Sequence, residues 1–190
     1  DFDSYANLGN PKTPSPHRIT SASTNFEDSP LRLSIFSDFQ CPACKALSDA
    51  LTALARKYKG QINIQYFFYP LDSSCNSKMT HAVHAFACEA AYLASCSGER
   101  FPEVHDRIFA NQEDINSGWL KRYAADLGVV DCFGNAETRK KVVDLIDIGN
   151  SFNVQSTPTL LLNGVKIEGV LPLNQLFILC DELLKRHGQK

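Results

Sequence analysis

The sequence predicts an α/β fold with one central sheet, formed by a β-α-β unit, a block of helices and a β-β-α unit. Apolar and β-branched runs with the length of strands begin near residues 31, 61 and 159. One helical pattern separates the first two runs, and four more lie between the second and the third. A central sheet with helices on its faces, and a helical insertion between its halves, is the simplest way to close this order.

The first 30 residues are rich in Ser, Thr, Asn and Pro, and their apolar residues show no periodicity. This composition predicts that residues 1–30 form a flexible arm or linker. The alternative is that the segment docks on the domain as an irregular strand, anchored by Phe26.

The first half of the sheet is predicted from residues 31–69. Residues 31–39 alternate apolar and polar side chains like a strand, and residues 42–59 place their apolar side chains on one helix face. The run QINIQYFFY over residues 61–69 is rich in β-branched and aromatic residues, which predicts a second strand. A strand–helix–strand unit with a buried apolar run implies that the two strands pair in parallel.

Residues 77–150 are predicted as a helical insertion within a domain that covers residues 31–187. The four predicted helices are an Ala-rich helix over about 78–97, a helix at FPEVHDRIF with Pro102 in its first turn, a helix that ends at Gly128 and a helix over about 136–149. After them, TPTLLLNGVKIEG predicts two strands joined by Asn163-Gly164, since Asn-Gly favours a two-residue hairpin. An amphipathic helix over about 173–187 completes the domain.

The motif FSDFQCPACK places Cys41 and Cys44, with two residues between them, at the predicted strand-to-helix junction. Unpaired N–H groups and the dipole at a helix N-terminus stabilise a thiolate, so Cys41 is expected to be an exposed, reactive sulfur. Pro42 suits the first helical position, where an N–H would have had no partner. Cys44 lies deeper in the first turn and is expected to be the resolving thiol. This arrangement is typical of a site for thiol–disulfide exchange.

The same C-x-x-C spacing also occurs as half of a zinc site. A structural zinc site needs two further ligands, usually from a second close pair, and the sequence has no second C-x-x-C. The nearest further ligands are His81, His84 and Cys88, spaced for one face of a helix. We therefore expect no metal and no bound cofactor, and a zinc-binding or chaperone-like module without turnover is the non-enzymatic alternative.

Composition excludes two classes of partner. With a net charge of −2 and 44% apolar residues, the chain gives no reason to expect binding to nucleic acid or to an anionic membrane surface. No apolar stretch approaches the ~18 residues of a membrane span. The chain begins at Asp1 without the charged and apolar regions of an export signal, so we expect a mature form or an excised domain.

Over residues 31–187 the chain resembles the DsbA-like branch of the thioredoxin superfamily. The four segments that carry this resemblance are the active-site segment FSDFQCPACK, the loop FYPLDSSCN, the helix FPEVHDRIFANQ and the proline loop with its hairpin, VQSTPTLLLNG. The helix ACEAAYLASC and the Ser-Pro-rich arm resemble, more narrowly, the thioredoxin-like domains found with bacterial vitamin K epoxide reductase homologues. The resemblance implies a thioredoxin fold with an inserted helical subdomain.

The resemblance also implies an activity and a second site element. Thr157-Pro158 would be a cis peptide that faces the C-x-x-C and pairs with an extended substrate, whereas the alternative is a trans proline that merely opens the strand. The activity would be protein thiol–disulfide exchange outside the cytoplasm, as a dithiol oxidase or alternatively as a reductase or isomerase. The implied partner is a membrane-embedded, quinone-linked oxidase of the vitamin K epoxide reductase or DsbB type, and the N-terminal arm would be a tether.

The chain departs from the family pattern at two positions. Ala43 replaces the histidine that DsbA has between its cysteines, so we expect a milder oxidant with a Cys41 pKa near ~7 rather than ~3.5. Many relatives bury an acid six residues before the first cysteine, where this chain has Ile35. The nearest acid is Asp38, expected to be a solvated or capping residue, and the proton shuttle for Cys44 stays unassigned.

The five remaining cysteines predict structural disulfides and one free thiol. Cys88 and Cys96 lie about 12 Å apart along one predicted helix, beyond the roughly 7 Å limit between the Cα atoms of a disulfide. Each of these two cysteines therefore needs a partner elsewhere. The Ala-rich helix should run away from the active-site edge and the helix at 136–149 should return to it, so Cys96 and Cys132 are both expected at the far end. We favour Cys96–Cys132, with Cys75–Cys88 formed only if the 71–77 loop folds back along the helix. Cys180, on the apolar stripe of the last helix, would be a free, buried thiol. Two disulfides would indicate an oxidising compartment, and the alternative is that all these cysteines are reduced and buried.

Overall fold

The computed structural model describes residues 2–23 and 25–188. The strands, in chain order, are β1 (Arg18–Thr20), β2 (Leu31–Ser37), β3 (Ile62–Phe68), β4 (Thr159–Leu162) and β5 (Val165–Glu168). The helices are α1 (Pro42–Lys57), α2 (Ala87–Ser95), α3 (Phe101–Ala110), α4 (Ser117–Leu127), α5 (Val130–Phe133), α6 (Ala136–Ser151) and α7 (Leu173–His187). The strands of this part of the chain form one mixed sheet in the order β1-β3-β2-β4-β5. The predicted β-α-β and β-β-α units and the helical insertion are confirmed.

The parallel pair β2–β3 is the centre of the domain. The two strands run in register from Leu31 opposite Ile62 to Ser37 opposite Phe68, with α1 as the crossover between them. Every residue of β3 is buried, which is the pattern of a parallel strand covered on both faces. β2 is the central strand of the sheet and ends at Ser37. The turn that follows Ser37 therefore lies at the carboxyl ends of the parallel strands, where α1 begins.

The hairpin β4–β5 pairs antiparallel with β2 and turns at Asn163-Gly164 as predicted. Both turn residues have positive φ, 48° and 83°, as a two-residue turn of this kind requires. The Asn163 side chain accepts a hydrogen bond from Arg32 N at 2.7 Å and donates to Pro30 O at 3.0 Å, so it also attaches the hairpin to the start of β2.

The N-terminal segment differs from the expectation of a flexible arm. In the described part of residues 1–30, β1 pairs antiparallel with β3, and Ser15 Oγ donates to Tyr66 O at 2.6 Å. Phe26 is buried, at 3% exposure. Without this segment β3 would be an open edge with unpaired backbone groups, and covering it satisfies those groups. The docked alternative, with Phe26 as the anchor, describes the segment correctly.

The helical insertion differs from the prediction mainly at its start, because α2 begins at Ala87 rather than near residue 78. Before it, the side chains of Asp72 and Asn76 accept hydrogen bonds from backbone N–H groups two residues ahead, which favours turns over helix. Val83 N and His84 N then both donate to Leu71 O, so the segment doubles back on itself. The short helix α5 was not predicted, whereas α4 ends at the left-handed Gly128 as expected.

The structure contains the favoured disulfide Cys96–Cys132 and also the conditional one, Cys75–Cys88. The Cys75–Cys88 bond is the one that depended on the path of the 71–77 loop, and it forms because this loop does fold back towards the start of α2. Cys180 is a free thiol, buried in α7. Within residues 2–23 and 25–188, no helix has both the length and the apolar character to cross a bilayer.

Candidate active site

Cys41 and Cys44 lie at the junction between β2 and α1. Cys41 is the N-cap of α1, Pro42 is its first residue, and Cys41 O accepts hydrogen bonds from the N–H groups of Cys44 and Lys45 at 3.1 Å. Both cysteines are free thiols. Cys41 is 7% exposed and Cys44 2%, so the predicted order of accessibility holds, but Cys41 is less exposed than expected. The proline loop that faces it is the reason.

The Thr157-Pro158 loop lies directly opposite Cys41. The peptide bond is cis, and the Cys41 thiol donates to Thr157 O across 3.5 Å. The Thr157 hydroxyl is buried and has no hydrogen-bond partner among the described residues. Pro158 O in turn accepts from Gly169 N at 3.0 Å, which holds the loop against the residues that follow β5. The structure thus brings together the two predicted parts of the site, 116 residues apart in the chain.

The surroundings of Cys41 stabilise its thiolate. Hydrogen bonding from the Cys44 thiol is the largest cause that lowers the pKa of Cys41 to about 5, and burial opposes it. The Thr157 hydroxyl and the N–H groups of Cys44 and Ala43 lower it further. The direction is the predicted one, but the pKa lies below the expected ~7. The expectation named the helix terminus as the chief cause, and the neighbouring thiol is the larger one.

The pKa of Cys44 is shifted in the opposite direction, upwards. Burial is the main cause that raises the pKa of this thiol, and the adjacent Cys41 raises it further, while the Ser37 hydroxyl and the Asp38 N–H lower it. Asp38 N lies 3.5 Å from Cys44 Sγ. The two sulfurs are therefore a thiolate and a thiol at neutral pH, which is the division of roles that a nucleophile and a resolving group need.

Asp38 is a buried member of the site, contrary to the expectation of a solvated or capping residue. It is 1% exposed, and its carboxylate accepts three hydrogen bonds. The donors are Gln40 N at 2.7 Å, Leu71 N at 2.8 Å and His84 Nδ1 at 2.8 Å. Hydrogen bonding to Asp38 is the main cause that raises the pKa of His84 above its usual value. His84 was considered only as a metal ligand, and no local sequence signal pairs it with Asp38.

Two glutamines connect the helical insertion to the active-site turn. Gln112 Nε2 donates to Phe39 O at 2.8 Å and to Cys41 O at 3.0 Å. From the turn itself, Gln40 Oε1 accepts from Phe86 N at 2.7 Å. Sequence reasoning did not single out either residue, although Gln112 closes the segment FPEVHDRIFANQ that carries part of the family resemblance.

The possible zinc ligands outside the C-x-x-C are not gathered into a metal site. Cys88 is bonded to Cys75, and His84 is engaged with Asp38. His81 and His84 lie before α2, in an irregular segment, and only Cys88 lies in the helix, so the three residues do not share a helix face. Among the described residues, no group of three or more His, Cys, Asp or Glu side chains is arranged to hold a metal ion.

A family model described as Thioredoxin matches residues 26–181. The chain is 25% identical over 149 residues to the Na+/H+ antiporter NhaA 1 of Mycolicibacterium gilvum, which covers 75% of this chain and 23% of that protein. It therefore spans less than a quarter of the length of the antiporters that it matches. It is also 22% identical over 171 residues to Disulfide bond formation protein D of Bacillus subtilis, covering 84% of this chain and 75% of that protein.

Solved structures show the same fold. A periplasmic thioredoxin-like protein from Salmonella enterica serovar Typhimurium has a TM-score of 0.71 at 18% identity, over 94% of both chains. The α-DsbA1 of Wolbachia pipientis has a TM-score of 0.70 at 18% identity, over 84% of this chain and 88% of that one. The family model covers most of the sequence, and the two solved structures share the fold of this chain. The chain belongs to the thioredoxin family, and its fold is that of the DsbA-like structures.

Proposed function

We propose that this domain is a thiol–disulfide oxidoreductase that acts on protein substrates and works as a dithiol oxidase. The observation that carries the proposal is the contrast within one helical turn between Cys41, with a lowered pKa, and Cys44, with a raised one. A low pKa makes Cys41 a good leaving group and stabilises the reduced protein, and a stable reduced form is what makes such a pair an oxidant.

The proposed reaction starts from the Cys41–Cys44 disulfide. A substrate thiolate attacks Cys41 Sγ, the bond between the two cysteines breaks, and Cys44 leaves with the electron pair and takes up a proton. A second substrate thiolate then attacks the substrate sulfur of the mixed disulfide, and Cys41 leaves as a thiolate. The substrate has lost two electrons and two protons and gained a disulfide, and the protein holds one thiolate and one thiol.

The substrate would bind along the Thr157-Pro158 loop. An extended peptide that runs past Cys41 meets backbone groups of this loop, which supports pairing as an added strand. Two exposed valines are sequence neighbours of residues that contact the site. Val170, 42% exposed, follows the glycine bonded to Pro158 O, and Val83, 52% exposed, precedes His84. Exposed apolar side chains near a polar backbone edge support an unfolded or partly folded protein chain as substrate.

We propose an extracytoplasmic location. Two disulfides outside the active site fit an oxidising compartment, and one structural neighbour is described as periplasmic. Reoxidation would then come from a membrane-embedded, quinone-linked oxidase of the vitamin K epoxide reductase or DsbB type. The match to part of an antiporter supports a domain carried by a larger membrane protein, with the N-terminal segment as the connection.

The reduction potential of the Cys41–Cys44 pair tests the direction of the reaction. Equilibrium with glutathione should give a value more oxidising than the about −270 mV of thioredoxin, towards the about −120 mV of DsbA. A value at or below that of thioredoxin would favour the reductase. Faster rearrangement of a scrambled-disulfide protein than oxidation of a reduced one would favour the isomerase. Stoichiometric zinc with no redox-active pair would favour the non-enzymatic module.

A further inference from the structure

A histidine reaches the active-site turn although none lies between the cysteines. His84, from the irregular segment before α2, places its Nδ1 2.8 Å from Asp38 Oδ2. Asp38 contacts both cysteines through its backbone. Its carbonyl accepts from Cys41 N at 3.1 Å, and its N–H faces Cys44 Sγ at 3.5 Å. His84 is therefore connected to both cysteines through a single residue, Asp38.

The position of His84 is built into the fold. His84 N donates to Leu71 O at 3.1 Å, and Leu71 N donates to the same Asp38 oxygen that His84 contacts. Phe86 N donates to Gln40 Oε1. The disulfide between Cys75 and Cys88 closes the loop that carries the histidine. The imidazole is 20% exposed, so it exchanges protons with solvent while it is held on a buried carboxylate.

The electrostatic consequence follows from burial. The Asp38 side chain is fully buried, and the backbone of this residue contacts both cysteines, so its negative charge repels a thiolate that forms there in a medium of low dielectric constant. A cation on the carboxylate cancels this repulsion. The ionisable groups that act on His84 are all acids, namely Asp38, Cys41 and Asp72, and each of them raises its pKa. The site therefore favours a protonated imidazole whenever Cys41 is a thiolate.

We propose that His84 is a positioning residue of the redox centre, whose cation on Asp38 compensates the buried carboxylate and favours the reduced protein with a Cys41 thiolate. The inference rests on the proposed function, because it concerns the redox equilibrium of the same cysteine pair. It gives this chain a substitute for the absent histidine at position 43, supplied from a segment far along the sequence.

Proton linkage predicts the direction in which the redox equilibrium of the cysteine pair changes with pH. Two glutathione thiols reduce the Cys41–Cys44 disulfide and become glutathione disulfide, Cys44 takes one proton, and the other is released or taken up by His84. Because the Cys41 thiolate strengthens proton binding at His84, protonation of His84 favours the thiolate form by the same factor. The pKa of His84 is raised in the folded protein, so this contribution is complete at low pH and is lost as the pH rises through that pKa.

The test is the glutathione equilibrium of purified protein between about pH 6 and pH 9, for wild type and three variants. H84N keeps a donor at the position of Nδ1 but loses the charge, and H84K carries a permanent cation. H81N is the matched control, because His81 is an exposed histidine of the same segment. At pH 6 the H84N equilibrium should shift about threefold to tenfold towards the disulfide, and it should converge with wild type near pH 9. H81N should match wild type throughout.

H84K separates charge from structure. It should match wild type near pH 6 and favour the reduced form more than wild type near pH 9, because the lysine keeps its charge as the pH rises whereas His84 loses its proton. An unchanged H84N equilibrium at pH 6, or a shift of equal size at every pH, would overturn the proposal and leave His84 a purely structural residue. If H84N does not fold, H84K decides alone through its pH profile. A wild-type protein without a redox-active pair would instead refute the proposed function.

Discussion

Cys41 and Cys180 are both buried thiols in helical segments, yet the pKa of one is about 5 and that of the other about 12. Burial raises the pKa in both places. At Cys180, in the body of α7, nearby Asp181 adds to that effect and only the charge of Lys57 opposes it. At Cys41 the thiolate meets a neighbouring thiol, the Thr157 hydroxyl and the N–H groups of Ala43 and Cys44 in the first helical turn. The hydrogen-bond donors around the sulfur, and not its exposure, separate the reactive Cys41 from the inert Cys180.

Replacing the cysteines themselves gives the largest effect. C41S should reduce disulfide transfer to a dithiol peptide to the uncatalysed level, because the attacked sulfur is gone. C44S should trap a mixed disulfide on Cys41, visible by mass under non-reducing conditions. C180S is the matched control and should leave transfer unchanged. Loss of transfer in C180S, or no adduct in C44S, would contradict the assigned roles.

Alkylation against pH measures the contrast directly. At neutral pH almost all of Cys41 is thiolate, whereas a pKa of about 12 leaves Cys180 roughly one part in 100,000 ionised. The rate at Cys41 in reduced protein should rise with pH to a plateau, with a midpoint near 5, and Cys180 should react only after unfolding. Peptide mass spectrometry assigns each site. A midpoint at or above the free value of about 8.5 for Cys41 would rule out an activated thiolate.

Removing one donor tests which contacts activate Cys41. T157V keeps the shape of the side chain but lacks the hydroxyl, so the pKa of Cys41 should rise by about one unit and the thiolate form should become about tenfold less favoured. Thiolate absorbance against pH reports the change. T52V is the control, because Thr52 is an exposed residue of α1 whose hydroxyl bonds to Ser48 O. An unchanged midpoint in T157V would exclude the hydroxyl as a donor.

The smallest expected effect concerns Cys180 as a packing residue. C180A removes one buried sulfur and should lower the free energy of unfolding by about 1 kcal/mol without changing the Cys41 pKa. C180S buries a hydroxyl in an apolar site and should cost more than C180A. Denaturant unfolding of both variants gives the comparison. A C180S protein as stable as wild type would show that this site is polar.

Structural features that depend only on residues close together in the sequence could be predicted from it. The spacing of Cys41 and Cys44 at a helix start, the Asn163-Gly164 hairpin and the free thiol in the last helix all follow from local patterns of side chains. The predicted start of α2 was wrong, because the side chains of Asp72 and Asn76 and the Cys75–Cys88 disulfide stabilise turns where the sequence pattern is helical. Of the N-terminal segment, composition alone gave no sign that it would cover the edge of β3.

By itself, the sequence determined the order of the strands from β2 onwards and of the helices other than α5, the place of the Cys41–Cys44 pair at the start of α1 and the cysteines left over for disulfides. Only the tertiary structure decided what surrounds that pair. The Thr157 carbonyl facing Cys41 comes from 116 residues away, and the histidine on Asp38 from 46 residues away. Periodicity and capping act within a few turns of one element, whereas the pKa of a buried sulfur depends on every group that folding brings within a few ångströms of it.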